Sequence, residues 1–135
     1  MKRILFALML VMFLATPALA VDTWYKTLSG TVAWDAVTTY EDGSPLDAGD
    51  IVVTYNVYMK NVTTGVQTKI ASTPSLSMAI VIPTRGKYRL GVQAELSTTE
   101  QSPIGWSDDP VICSTAGTFG FRLMFPAGTK NLKKQ

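Results

Sequence analysis

The sequence predicts an all-β fold, an antiparallel β-sandwich of one domain. Three observations carry this. Gly86 to Ala94 alternates without a break, with Tyr88, Leu90, Val92 and Ala94 on one side and Lys87, Arg89, Gly91 and Gln93 on the other. A period of two over this length is a half-buried strand, and its apolar face needs a second sheet to cover it. Helical periodicity appears nowhere after residue 20, and short alternating segments are separated by clusters of turn formers.

Residues 1–20 are expected to lie outside the fold. Lys2 and Arg3 open a charged start, Ile4 to Leu14 is an apolar run, and Ala18-Leu19-Ala20 is an A-x-A cleavage site. This is the pattern of a secretory signal peptide, with a run too short for a permanent span. The mature chain is expected to start at Val21 and to be secreted: extracellular, on the cell surface or periplasmic.

Gly30 to Trp34 forms the first predicted strand, with Val32 and Trp34 on one face. Asp35 to Asp50 is a loop, dense in turn formers over Tyr40-Glu41-Asp42-Gly43-Ser44-Pro45. Ile51 to Val62 is a long strand in which Val53, Tyr55, Val57 and Met59 alternate with Thr54, Asn56, Tyr58 and Lys60. A turn at 61–65 leads to a short polar strand, Gln67 to Ser72. Ser75 to Ile82 presents Leu76, Met78, Ile80 and Ile82 on one face, and Pro83 to Gly86 turns into the alternating strand described above. Ser97 to Pro110 is a loop, and Val111 to Ser114 is the last predicted strand of the domain. The predicted inter-sheet core is Trp34, Tyr55, Val57, Ile82, Tyr88, Leu90 and Val92.

Trp34 on an early strand, Tyr55-x-Val57 on the next long one, and Ile82 six residues before Tyr88-x-Leu90-x-Val92 together resemble a fibronectin type III domain. The resemblance covers roughly residues 28–115. It implies an immunoglobulin-like sandwich in which Trp34 and Tyr55 pack between the sheets. It also implies that Tyr88 forms a tyrosine corner, its hydroxyl bonding back to the chain upstream. Two departures stand out. Only nine residues precede the first strand, leaving little room for the family's strand A, and twenty follow the last.

Those twenty residues are expected to carry an extra strand. Phe119, Phe121, Leu123 and Phe125 form the most hydrophobic stripe of the mature chain. Exposed, it would be an aggregation hazard, so it is expected to add to a sheet edge by β-augmentation, within its own chain or in another copy. The organisation expected is thus a signal peptide (1–20), a sandwich (21–115), and a strand with a basic tail (116–135).

Composition narrows the function. Removing Lys2 and Arg3 leaves ten basic residues against ten acidic ones. Residues 21–115 hold all ten acids and six bases; residues 116–135 hold Arg122, Lys130, Lys133 and Lys134 and no acid. An acidic body argues against nucleic-acid binding. There is no histidine, which removes the commonest general base and metal ligand. Asp35, Glu95, Asp108 and Asp109 have no catalytic spacing, so no enzyme and no cofactor is expected. Asp42, Asp47 and Asp50 crowd one loop but lack an EF-hand register, so no metal is expected. Cys113 is the only cysteine; it is expected to be a buried thiol, with an intermolecular disulfide as the alternative. Asn61-Val62-Thr63 fits a glycosylation sequon and is equally a plain turn.

Two functions remain. The first is an exported, non-catalytic interaction or structural module acting through protein contacts, with Phe119, Phe121, Leu123 and Phe125 as contact residues and self-assembly by strand addition. The alternative is a carbohydrate-binding accessory protein that stacks sugars on Trp24, Tyr40 or Trp106.

Overall fold

The computed structural model describes residues 22–114 and 117–124. Residues 1–21, and with them the expected signal peptide, lie outside the described residues, as do Phe125 and the basic tail. Eight strands and no helix occur among the described residues: β1 (Thr23–Tyr25), β2 (Ser29–Ala33), β3 (Val52–Asn61), β4 (Gln67–Thr73), β5 (Ser77–Val81), β6 (Gly86–Leu96), β7 (Gly105–Trp106) and β8 (Phe119–Leu123). They form a large sheet in the order β1-β8-β6-β3-β4, with β7 also on β6, and a two-stranded sheet β2-β5. The two sheets make a β-sandwich. No helix here is long and apolar enough to cross a membrane.

The alternating residues of β6 and β3 pair directly: Leu90 lies opposite Met59, Val92 opposite Val57 and Ala94 opposite Tyr55. Val32 and Ile80 reach across from the small sheet, joined by Ile82 just after β5, and with Met59, Tyr88, Leu90 and Phe121 they form the buried cluster. Of the predicted core, Tyr55, Val57, Ile82, Tyr88 and Leu90 are buried. Trp34 is half-buried and packs against the cluster, its ring 5.7 Å from that of Tyr55. Val92 is also half-buried. The small sheet has only two strands, too narrow to cover the whole inner face of the large one.

One expectation is corrected, and the pairing of the C-terminal stripe is decided between its two alternatives. Val111 to Ser114 is a turn, with Val111 80% and Ile112 60% exposed. The cause is Asp109: its carboxylate accepts from the amides of Val111 (2.8 Å) and Ile112 (3.4 Å), and its carbonyl accepts from Cys113 (2.9 Å). A short acidic side chain that captures amides downstream diverts the backbone from an extended path.

The C-terminal stripe is not an appendage to a finished sandwich. β8 lies inside the large sheet, antiparallel to β6 (Tyr88 opposite Phe121) and parallel to β1 (Tyr25 opposite Phe121). The stripe thus pairs in its own chain. The short stretch before β2 does hold a strand, and β1 covers the far edge of β8.

β7 and β8 are two pieces of one interrupted strand. The amide of Ser107 donates to Leu90 O (2.8 Å) and the amide of Leu90 to Ser107 Oγ (3.0 Å). The carbonyl of Ser107 then accepts from Phe119 (2.8 Å), so the intervening excursion begins and ends at the same point of the sheet.

The Tyr88 hydroxyl lies 2.6 Å from Thr84 Oγ1, four residues upstream. Replacing Tyr88 with Phe keeps the packing and removes one hydrogen bond. The expected cost is about 0.5–1.5 kcal/mol, measured by denaturant unfolding.

Candidate interaction site

Two regions gather the polar and aromatic residues that the core does not use. The first is a cleft of about 680 Å³ at one end of the sandwich. One wall is the loop between β2 and β3, the other the turn after β6. Both walls are held by their own hydrogen bonds. In the first, Tyr40 N donates to Ser44 O (2.8 Å), Gly43 N to Tyr40 O (3.0 Å) and Leu46 N to Thr38 O (3.1 Å). Gly43 sits at φ 84°, a left-handed turn position that glycine fills without strain. Tyr40 anchors the loop base: its hydroxyl donates to Asp50 and accepts from the amide of Asp47. In the second wall, Leu96 N donates to Glu100 O (2.8 Å) and Ser102 N to Ala94 O (2.9 Å), while Ala94 N donates to Ser102 Oγ (3.0 Å).

Its lining combines apolar Val37, Leu46, Ala94, Leu96 and Pro103 with acidic Glu41, Asp42 and Glu100. Among the described residues no lysine or arginine lines it. The Ser44 hydroxyl and amide hold the Asp42 carboxyl below its ordinary range. Just behind the wall, Glu95 is lowered by hydrogen bonds from Asn56 and Gln101. The Tyr40 hydroxyl is raised, chiefly by its bond to Asp50. The cleft therefore combines apolar side chains with carboxylates that are ionised at neutral pH.

The second region is the outer face of the large sheet, where Trp24 and Trp106 lie. A Cβ added at Gly120 would meet Trp24 Cζ3 at 2.6 Å, and one at Gly91 would meet Trp106 Cε3 at 2.8 Å. Each ring therefore rests on a glycine of the sheet. Cations occupy both rings: Arg89 Cζ at 4.1 Å and Lys87 Nζ at 5.0 Å over Trp24, and Lys60 Nζ at 4.3 Å over Trp106. Asp22 completes the cluster. It takes both Arg89 nitrogens at 2.8 Å and accepts from Trp24 Nε1 (3.0 Å) and Thr118 Oγ1 (3.1 Å). Arg89 Nη1 also donates to the carbonyl of Phe119 at 2.7 Å. The hydrogen bond from Arg89 draws the Asp22 carboxyl down to about 2. Arg89 sits at an alternation position expected to be exposed, yet it is buried, because Trp24 and Asp22 cover it.

The expected contact residues thus scatter. Phe121 is buried in the core, and Phe119 and Leu123 pack against it half-buried. Trp24 and Trp106 share one sheet face, while Tyr40 lies in the cleft on another part of the molecule. The three do not form a row. Asp42, Asp47 and Asp50 serve the loop, and no three metal-binding side chains converge among the described residues. Cys113 is half-buried; loss of solvent raises its thiol pKa.

Sequence reasoning missed the partnership of Asp22 with Arg89, 67 positions apart. It also missed the pairing of the two loops that make the cleft. The cluster of turn formers at 40–45 was the only signal for the latter. Comparison with known proteins gives no match: no family model, no curated protein and no solved structure aligns with the chain.

Proposed function

We propose that this chain is an exported, non-catalytic interaction module of fibronectin type III-like build, making protein contacts on or outside the cell surface. The cleft is the observation that carries this reading. It sits on loops at one end of a rigid sandwich, where β-sandwich domains commonly present their binding surfaces. It joins apolar side chains to acidic ones on two hydrogen-bonded loops. The sheet order supports the family resemblance, with β2 and β5 facing a sheet that includes β4, β3, β6 and β8. So does the Tyr88 hydroxyl, bonded back to Thr84. The corner differs in one respect: its partner atom is a side-chain hydroxyl. Export rests on the leader-like residues 1–20.

The carbohydrate reading loses ground on geometry. Sugar-stacking platforms need free aromatic faces, and Trp24 and Trp106 each carry a cation of this chain.

In-cell photocrosslinking tests the proposal. A photoreactive residue at Glu100, in the cleft lining, is expected to give a discrete protein adduct outside the cytoplasm. The same residue at Thr31, on the outer side of β2, is expected to give none. An unmodified chain from the cleft position would overturn the proposal.

A further inference from the structure

Charge is unevenly spread between the two ends of the large sheet, although Lys69 acts on Glu95 and Asp108 lies 3.9 Å from Lys60. At the cleft end lie Asp35, Glu41, Asp42, Asp50, Glu95 and Glu100, on or beside the loops flanking the β3–β6 register end at Val52 and Leu96. At the opposite end lie Arg85, Lys87 and Arg122, around the β6–β8 register end at Gly86 and Leu123. The chain leaves β8 at that basic end and continues into a segment holding Lys130, Lys133 and Lys134.

The basic segment and the cleft therefore complement each other in charge but sit at opposite ends. β6 carries Gly86 beside the exit and Ala94 in the cleft wall, a separation of about 27 Å at strand rise. Lys130 lies seven residues beyond Leu123, a reach of at most ~25 Å, so it falls short of its own cleft. Lys133 and Lys134, ten and eleven residues beyond Leu123, reach at most ~36–40 Å, but β8 points away from the cleft, so the chain must first reverse and that turn uses up part of the length. The cleft of a second copy has no such restriction.

We infer that mature chains associate head-to-tail, the basic C-terminal segment of one copy seating in the acidic cleft of the next. The inference rests on the interaction-module reading and names its partner. Lysine stems lie on apolar Val37, Leu46, Leu96 and Pro103 while their ammonium groups meet Glu41, Asp42 and Glu100 of the same lining. The carboxyls of Asp42 and Glu95 are already biased toward the charged form, so the end stays negative at neutral pH. Because donor and acceptor surfaces differ, each copy that joins presents a fresh cleft or a fresh tail, and the contact propagates. A contact made by exposed charges weakens with salt.

Sedimentation of the mature chain tests this. At about 20 mM salt its mean mass is expected to rise with concentration beyond a dimer, and at about 500 mM to return to the monomer. Two variants separate the halves of the contact. Deleting 126–135 removes the three lysines and leaves β8 whole; Glu41→Lys with Glu100→Lys reverses the acidic lining. Each alone is expected to stay monomeric with an unchanged melting temperature. Mixed, they are expected to form a dimer and stop, because one supplies only a cleft and the other only a tail. A full-length chain that remains monomeric at low salt overturns the inference, as does a deletion variant that still assembles or a mixture that makes no dimer. If a monomeric chain still crosslinks to another protein from Glu100, the inference falls while the interaction-module reading stands. A chain that crosslinks to nothing, itself included, sinks the broader reading.

Discussion

Phe121→Ala is expected to lower stability by about 3–5 kcal/mol, the usual cost of deleting a buried aromatic ring. Phe121 is 5% exposed and belongs to the buried cluster. Its ring lies 5.7 Å from Tyr25 and 6.1 Å from Phe119, and a Cβ on Gly30 of the facing sheet would come within 2.9 Å of it. It therefore touches both sheets. A domain of this size holds about 5–15 kcal/mol in total, so the loss takes a large share. Thermal unfolding registers it at about 4–8 °C per kcal/mol. Phe119→Ala, at a half-buried position, is expected to cost less. Were the stripe a solvent-facing contact surface, Phe121→Ala would leave the melting temperature alone.

Arg89→Met is expected to cost about 1.5–3 kcal/mol, the range for hydrogen bonds to charged groups. The change keeps an unbranched stem against Trp24 but removes two bonds to Asp22 and one to the carbonyl of Phe119. Asp22 is left with water access, its side chain being 44% exposed, so the loss stays below that of a fully buried pair. The same pair sets a pH dependence. Folding draws the Asp22 carboxyl from its ordinary 3.8 down to about 2. A lowered pKa means that its contribution is present above about pH 4 and is lost as pH falls toward 2. In the parent, acid titration of stability is expected to show that loss, with β1 loosening first because it has three residues and the Asp22 anchor. In Arg89→Met this component of the acid profile is expected to shrink, because Trp24 and Thr118 still donate to Asp22.

The long strands were legible because period and burial agree along them. Tyr88, Leu90 and Ala94 face the core as their alternation requires, and Tyr55, Val57 and Met59 meet them across one register. Elements failed to show where local pattern and long-range pairing diverge. Val111 and Ile112 look like a strand by composition, but Asp109 two residues earlier captures their amides. β1 and β7 are too short to show a period at all; each exists because β8 or β6 offers it an edge. The apolar stripe at 119–123 was visible, and its place was not, because pairing between positions about 35 apart leaves no mark on either segment. Of the candidate cleft, the loop at 40–50 was legible as a turn-rich segment with Tyr40 as a candidate contact, while its acids pointed only to a metal site whose register is absent. Its opposite wall, Leu96 to Pro103, joins it only through the register of β3 against β6.

The place of β8 underlies all of this. If it pairs in its own chain, the C-terminal stripe is spent inside the sandwich, and the proposed contacts must be made elsewhere. Amide hydrogen exchange of the mature chain, followed by NMR over a dilution series, measures that directly. The amides of Phe119 to Leu123 are expected to exchange as slowly as those in the middle of β6, and at a rate that dilution does not change. Exchange at loop rates, or protection that fades on dilution, would mean that the strand is unpaired or borrowed from another copy, and would contradict the account.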